Sequence, residues 1–196
     1  MTILEEYIVA CTNLYGCVSK EKVMEIFNQQ TDLDISDFDT VDIFAIEEYD
    51  VIDYEEYYVQ EDVLIYRDID KLIQSQQNKP YYVPNQEELL RYVDMDYFEI
   101  TKEYKNLENY LKESYEMDNP DELDDIMLDI YFEILETDSP TTIIKLYEKM
   151  NFEIPDEQVL NELVELTFQL YNNTKRQDNN GYSPTELRIL MDHTSN

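Results

Sequence analysis

Apolar positions recur every three or four residues over most of the chain, the rhythm of helices with one buried face. Leu4, Tyr7, Ile8, Cys11, Leu14, Tyr15 and Val18 predict a helix over 3–18, with Gly16 supplying a stop near its end. Val23, Ile26 and Phe27 repeat the pattern over 20–30, and Ser36 opens a third short helix with Phe38, Val41 and Phe44 as its apolar side. Between 46 and 66 the texture changes. Ile46, Tyr49, Val51, Tyr54, Tyr57, Tyr58, Val59, Val63, Ile65 and Tyr66 are β-branched or aromatic and partly alternate with acids, which predicts two or three short strands. Three helices followed by a hairpin is the order of a winged-helix unit.

Lys79-Pro80-Tyr81-Tyr82-Val83-Pro84 predicts a stiff extended connector, because residues before proline avoid the helical region. Beyond it the rhythm is helical to the end. Asn85 with Glu88 reads as a capping pair for a helix through about Val93, and Tyr104, Leu107, Tyr110 and Leu111 form the inward side of a helix over 101–115. Asn119-Pro120-Asp121-Glu122 combines a cap, a first-turn proline and early acids. The helix it starts carries Leu123, Ile126, Met127, Ile130, Tyr131, Ile134 and Leu135. Further starts are read at Ser139-Pro140, Pro155 and Ser183-Pro184. The expected fold class is α+β and mostly helical: a winged-helix-like three-helix and hairpin unit over 1–78, then a C-terminal helical bundle over 79–196.

Composition narrows the function classes. In 196 residues there are 14 Lys plus Arg against 46 Asp plus Glu, a net charge of −32, yet 43% of residues are hydrophobic, enough for a core. A chain this acidic does not hold nucleic acid through a basic surface, nor an anionic membrane. Two glycines, Gly16 and Gly181, cannot build a Gly-rich phosphate loop. Cys11, Cys17 and His193 are too few to build a zinc site, and Asp32-Leu33-Asp34-Ile35-Ser36-Asp37 lacks the glycine and terminal glutamate of a calcium loop. The expectation is therefore no enzyme activity, no cofactor and no metal. An acidic N-terminus without a basic leader, with Cys11 read as a core thiol, points to the cytoplasm.

The charge is concentrated. Residues 32–70 hold fifteen acids against Arg67, and residues 94–138 hold sixteen against Lys102, Lys105 and Lys112. On the helix after Asn119, Glu122, Asp125, Asp129, Glu133 and Glu136 recur at three or four residues, about 5–6 Å apart along one face and with no Lys among them. Like charges so spaced destabilise a helix by a few tenths of a kcal/mol each. The candidate partner-binding residues are these five with Asp50, Asp53, Glu55, Glu56, Glu61 and Asp62 of the hairpin region. Rows of carboxylates on a rigid scaffold reproduce part of the field of a nucleic acid. The expected partner is a basic nucleic-acid-binding protein such as a Cas nuclease, with no direct nucleic-acid or membrane contact.

Three stretches carry a likeness to a family: Asn13-Leu14-Tyr15-Gly16-Cys17-Val18 with Lys20-Glu21-Lys22-Val23 and Ile26-Phe27-Asn28; Lys79 to Pro84 with Glu87-Glu88-Leu89-Leu90; and Asn172-Asn173-Thr174-Lys175-Arg176 with Gly181-Tyr182-Ser183-Pro184-Thr185-Glu186-Leu187. They resemble a poorly characterised bacterial family whose members often end in a SEC-C zinc motif. The present sequence departs from that pattern by lacking a Cys cluster through Asn196. The resemblance implies no enzyme activity. In general character the chain is similar to phage anti-CRISPR and anti-restriction proteins. The functional expectation is a non-enzymatic inhibitor acting as a partial nucleic-acid mimic. The alternative is a regulatory adaptor that binds a protein through apolar grooves, its acidity serving solubility.

Overall fold

The computed structural model describes residues 1–33, 41–115, 119–137, 142, 145, 147 and 156–194. It is mostly helical with one three-stranded antiparallel sheet. The chain divides into two compact units, the first comprising 1–98 and 176–182, the second 99–175 and 183–196. The expected connector at 79–84 lies inside the first unit, so the break at 78/79 does not separate them.

In the first unit α1 (Ile3–Tyr15) starts at Thr2, whose side chain accepts from the Glu5 backbone while the Glu5 carboxylate accepts from the Thr2 N–H at 2.6 Å. It stops at Gly16, whose φ of 72° only glycine adopts at little cost. Val18, expected to extend the helix, instead lies in β1 (Cys17–Ser19). Then follow α2 (Lys20–Gln30), α3 (Ile43–Glu47), β2 (Val51–Tyr54), β3 (Tyr57–Gln60), α4 (Glu61–Tyr66) and α5 (Ile69–Gln76). The sheet order is β1-β3-β2, with Val18 opposite Tyr58 and Asp53 opposite Tyr58 on the other side.

Both faces of the sheet are covered. Val18, Val51 and Tyr58 join Tyr7, Ile8, Cys11, Ile26 and Phe27 in the main core, while Cys17 and Val59 pack with Val63 and Leu72 on the opposite side. Of the two or three short strands expected over 46–66, two are present, and the residues after Gln60 that were read with them form a helix instead. Val63, Ile65 and Tyr66 belong to α4, because Val63 gains more from packing on Val59 than from its strand propensity. Ile46 likewise sits in α3 and is buried, whereas Phe44, expected inward, is 79% exposed. Ser36 and Phe38 lie outside the described residues.

Residues 176–182 close this unit. The Gln177 amide accepts from Arg67 at 2.6 Å and donates to Gln60 at 2.6 Å. The Gln76 amide donates to the carbonyls of Tyr15 and Gln177, and Lys79 Nζ donates to Asp178 O at 2.8 Å and Asn179 Oδ1 at 2.9 Å. Asn180, buried at a left-handed φ of 50°, donates to the carbonyls of Gln76 and Lys79. Tyr82 and Tyr182 meet edge to face.

After α6 (Gln86–Leu89), capped by Asn85, and the 3-10 turn Leu90–Val93, the second unit holds α7 (Lys102–Ser114), α8 (Pro120–Glu136), α9 (Glu157–Asn173) and α10 (Pro184–Thr194). Tyr104, Leu107 and Leu111 of α7, Leu123, Met127, Ile130 and Ile134 of α8, and Leu163 and Leu170 of α9 are buried. Tyr147 is buried too, its hydroxyl 2.7 Å from Thr167 Oγ1. Ser139, Pro140 and Pro155 lie outside the described residues.

Two carboxylates tie these units to acid pH. Glu5 is buried, which pushes its pKa up, but hydrogen bonds from the Asp42 and Thr2 backbones outweigh that and hold it below its ordinary 4.5. Burial likewise raises Glu186, and Lys175 and Ser183 more than reverse it. A depressed carboxylate stabilises the fold above its unfolded pKa, and that contribution disappears as pH falls through the folded value. The expected result is a stability loss beginning below about pH 4.5, smaller in Glu5→Gln, followed by thermal melting between pH 6 and 3.

Candidate acidic interaction site

The hairpin acids are placed by turns and helix starts. Asp50, at φ 56°, ends the α3–β2 connection, and its carbonyl accepts the Glu61 N–H at 2.8 Å. That bond brings Asp50 beside the first turn of α4, where Glu61 and Asp62 stand. With Asn13, Tyr49, Gln60 and Met95 these three acids line a cleft of about 110 Å³. Gln60 donates to Asn13 at 3.0 Å across it. Glu61 and Asp62 also have a local reason to be acidic, since a helix N-terminus favours negative charge. The same holds for Glu122 in the first turn of α8.

Asp53 has a partner within the fold. Lys20 Nζ is 2.6 Å from its carboxylate and 5.4 Å from the centre of the Tyr58 ring. Burial, with the Asp53 charge as a lesser cause, pushes the Tyr58 hydroxyl well above its ordinary range. Among the described residues, Asp53 is the one member of the expected set with an ion-pair partner.

Glu55 and Glu56 form the two-residue turn between Tyr54 and Tyr57. Glu55 holds a φ of 52°, a conformation that costs a non-glycine residue about 1 kcal/mol or more. Glycine is the residue that this turn position favours. Glu55→Gly is expected to raise stability by about 0.5–1 kcal/mol, read from urea denaturation. The native acid thus stands where the backbone alone favours another residue.

On α8, Asp125, Asp129 and Glu136 are exposed with Glu122, but Glu133 is half-buried. At about 100° per residue the positions most nearly opposite the buried stripe of Leu123, Met127, Ile130 and Ile134 are Asp125 and Phe132. Phe132 is 57% exposed. The outward row therefore runs Glu122, Asp125, Asp129, Phe132, Glu136, and the expected place of Glu133 is corrected by one residue. The sequence rhythm allowed either, because both lie within one turn of Asp129 and Glu136.

Sequence reasoning also missed the exposed aromatics. Phe44 at 79%, Tyr54 at 40%, Tyr66 at 78% and Phe132 at 57% are the exposed aromatic side chains among the described residues. All four fall within the acidic stretches 32–70 and 94–138. For Tyr54 the available signal was a large ring flanked on both sides by acids, Asp53-Tyr54-Glu55-Glu56, and no such flanking marks the other three.

The hairpin set and the α8 set belong to different compact units. Asp32 precedes the described gap, and Asp34, Asp37 and Asp39 lie within it. Cys11 and Cys17 are buried free thiols, and burial pushes Cys17 up to about 12, away from nucleophile or ligand chemistry at neutral pH. Among the described residues no cluster of His, Cys, Asp and Glu has metal-binding geometry, and no helix is long and apolar enough to cross a membrane. Compared with protein families, curated proteins and solved structures, the chain matches none of them.

Proposed function

We propose that this chain is a non-enzymatic acidic inhibitor that binds a basic nucleic-acid-handling protein, a CRISPR effector nuclease or a restriction enzyme, as a partial nucleic-acid mimic in the cytoplasm. The observation that carries this reading is the exposure of carboxylates without cations. Asp50, Glu55, Glu56, Asp125, Asp129 and Glu136 are exposed, have no ion-pair partner among the described residues, and lie outside the first turn of any helix. A net charge of −32 far exceeds the magnitude of about 2–8 that solubility needs.

The first unit supports a winged-helix-like scaffold with inverted charge. The order α1, β1, α2, α3, β2, β3 and the sheet β1-β3-β2 follow that plan, and the turn at its tip is Glu55-Glu56. A nucleic-acid-reading wing carries Lys or Arg there, because phosphate contacts supply the affinity. The likeness of three stretches spread over the chain to the SEC-C-associated bacterial family belongs to the same proposal.

The test is competition. A Cas nuclease with its guide RNA is mixed with the protein, and target-DNA binding is measured between 50 and 300 mM salt. Inhibition that weakens steeply with salt is expected; no inhibition at low salt sinks the reading. The adaptor reading draws on Phe44 and Tyr66, and it predicts binding that changes little with salt.

A further inference from the structure

We infer that the outward row of α8 is a docking surface for a groove that binds single-stranded nucleic acid, with Phe132 in the place of a base and Asp125, Asp129 and Glu136 in the place of phosphates. The inference rests on the acidic-inhibitor reading and specifies which kind of groove is occupied. Phe132 stands exposed among Asp125, Asp129 and Glu136 on the outward side of its helix. A duplex groove does not call for an exposed ring, since its affinity comes from backbone charge. Grooves for single strands combine two features: cations that follow the backbone and aromatic platforms on which bases stack.

The α8 row presents the complement of both. Asp129 lies three residues before Phe132 and Glu136 four after it, so the ring is flanked by a carboxylate in each direction, with Asp125 one turn farther. Tyr131 supports the ring from the side, their centroids 6.1 Å apart at an interplanar angle of 67°. The outer face of Phe132 stays open for stacking on a partner ring or a guanidinium plane. In the first unit an exposed ring between acids recurs at Tyr54, which lies between Asp53 and Glu55.

The experiment uses the full chain against two model grooves. One is a bacterial single-stranded-DNA-binding protein holding a fluorescent oligo-dT; the other is a helix-turn-helix repressor holding its operator duplex, both at 50 mM salt. The expected result is displacement of oligo-dT at a concentration at least tenfold lower than displaces the duplex. Phe132→Ala is expected to lose at least tenfold in oligo-dT displacement with its melting temperature unchanged, and Phe132→Trp to retain it. Equal displacement by Phe132→Ala, or preference for the duplex, overturns the single-strand inference and leaves the acidic reading standing. Displacement of neither probe overturns both. Loss in Phe132→Ala accompanied by a lowered melting temperature overturns the assignment of the ring as a contact.

Discussion

Asp125→Lys combined with Asp129→Lys is expected to abolish inhibition while leaving the protein slightly more stable. Both carboxylates are exposed on α8, past its first turn, with no cation partner among the described residues. Replacing them turns two attractive contacts with a basic groove into two repulsive ones. Close charge pairs across interfaces are worth about 1.5 kcal/mol or more, so the double change should cost about 3–5 kcal/mol, roughly 10²- to 10⁴-fold in affinity at low salt. The folded state responds in the opposite direction. Asp125 and Asp129 repel each other, and Glu122 and Glu133 add to that repulsion. The introduced cations face Glu122 and Glu133 at helical spacing and should return a few tenths of a kcal/mol. Affinity from competition and stability from urea melts, measured on the same variant, are expected to move in opposite directions. If stability falls by more than about 1 kcal/mol, the row has a structural role and the argument from uncompensated charge fails.

Gly16→Ala should be the most damaging single methyl in the chain. An added Cβ at φ 72° would lie 2.5 Å from Gln177 Oε1 and 2.7 Å from its Cδ. A glutamine tip can ordinarily swing away, but this one is held from both sides by Arg67 and Gln60. Relieving the clash breaks those bonds, each worth about 1 kcal/mol, on top of about 1–3 kcal/mol for a side chain in the left-handed region. The expected loss is about 3–5 kcal/mol, a drop of about 12–20 °C in the melting of the first unit at about 4 °C per kcal/mol. Gln177→Ala should cost less by itself, and the double variant should fall short of the sum, because the clash disappears with the glutamine. Strict additivity would show that Gly16 is required for its backbone alone.

The local signals were legible and the long-range ones were not. Gly16 as a helix stop, Asn119-Pro120 as a start, Asn85 as a cap and the hairpin after residue 50 all follow from bonds between neighbours in sequence. The α4 segment was misread because six residues span less than two turns, too few for a 3.6-residue period to outweigh a β-branched composition. Phe44 was placed inward for the same reason, α3 being five residues long. The closing segment 176–182 left no rhythm to read. Its bonds to Gln60, Gln76 and Lys79 reach across about a hundred residues or more, and only the three-dimensional fold brings those stretches together. For the site, the acids were visible as charge. Their separation into helix-start acids, the Lys20-bound Asp53 and the unpaired remainder needed geometry.

The return of residues 176–182 also sets a timetable for synthesis. The first unit lacks its last segment until the ribosome has added 84 further residues beyond Phe98, to Tyr182. At about 5–20 residues per second that is a wait of about 4–17 s. During it the carbonyl of Gln76 and the ammonium of Lys79 lack the partners they hold in the finished fold. The nascent chain thus carries an unsealed seam through nearly half of its translation, and an N-terminal fragment ending before residue 182 lacks the bonds that this segment supplies.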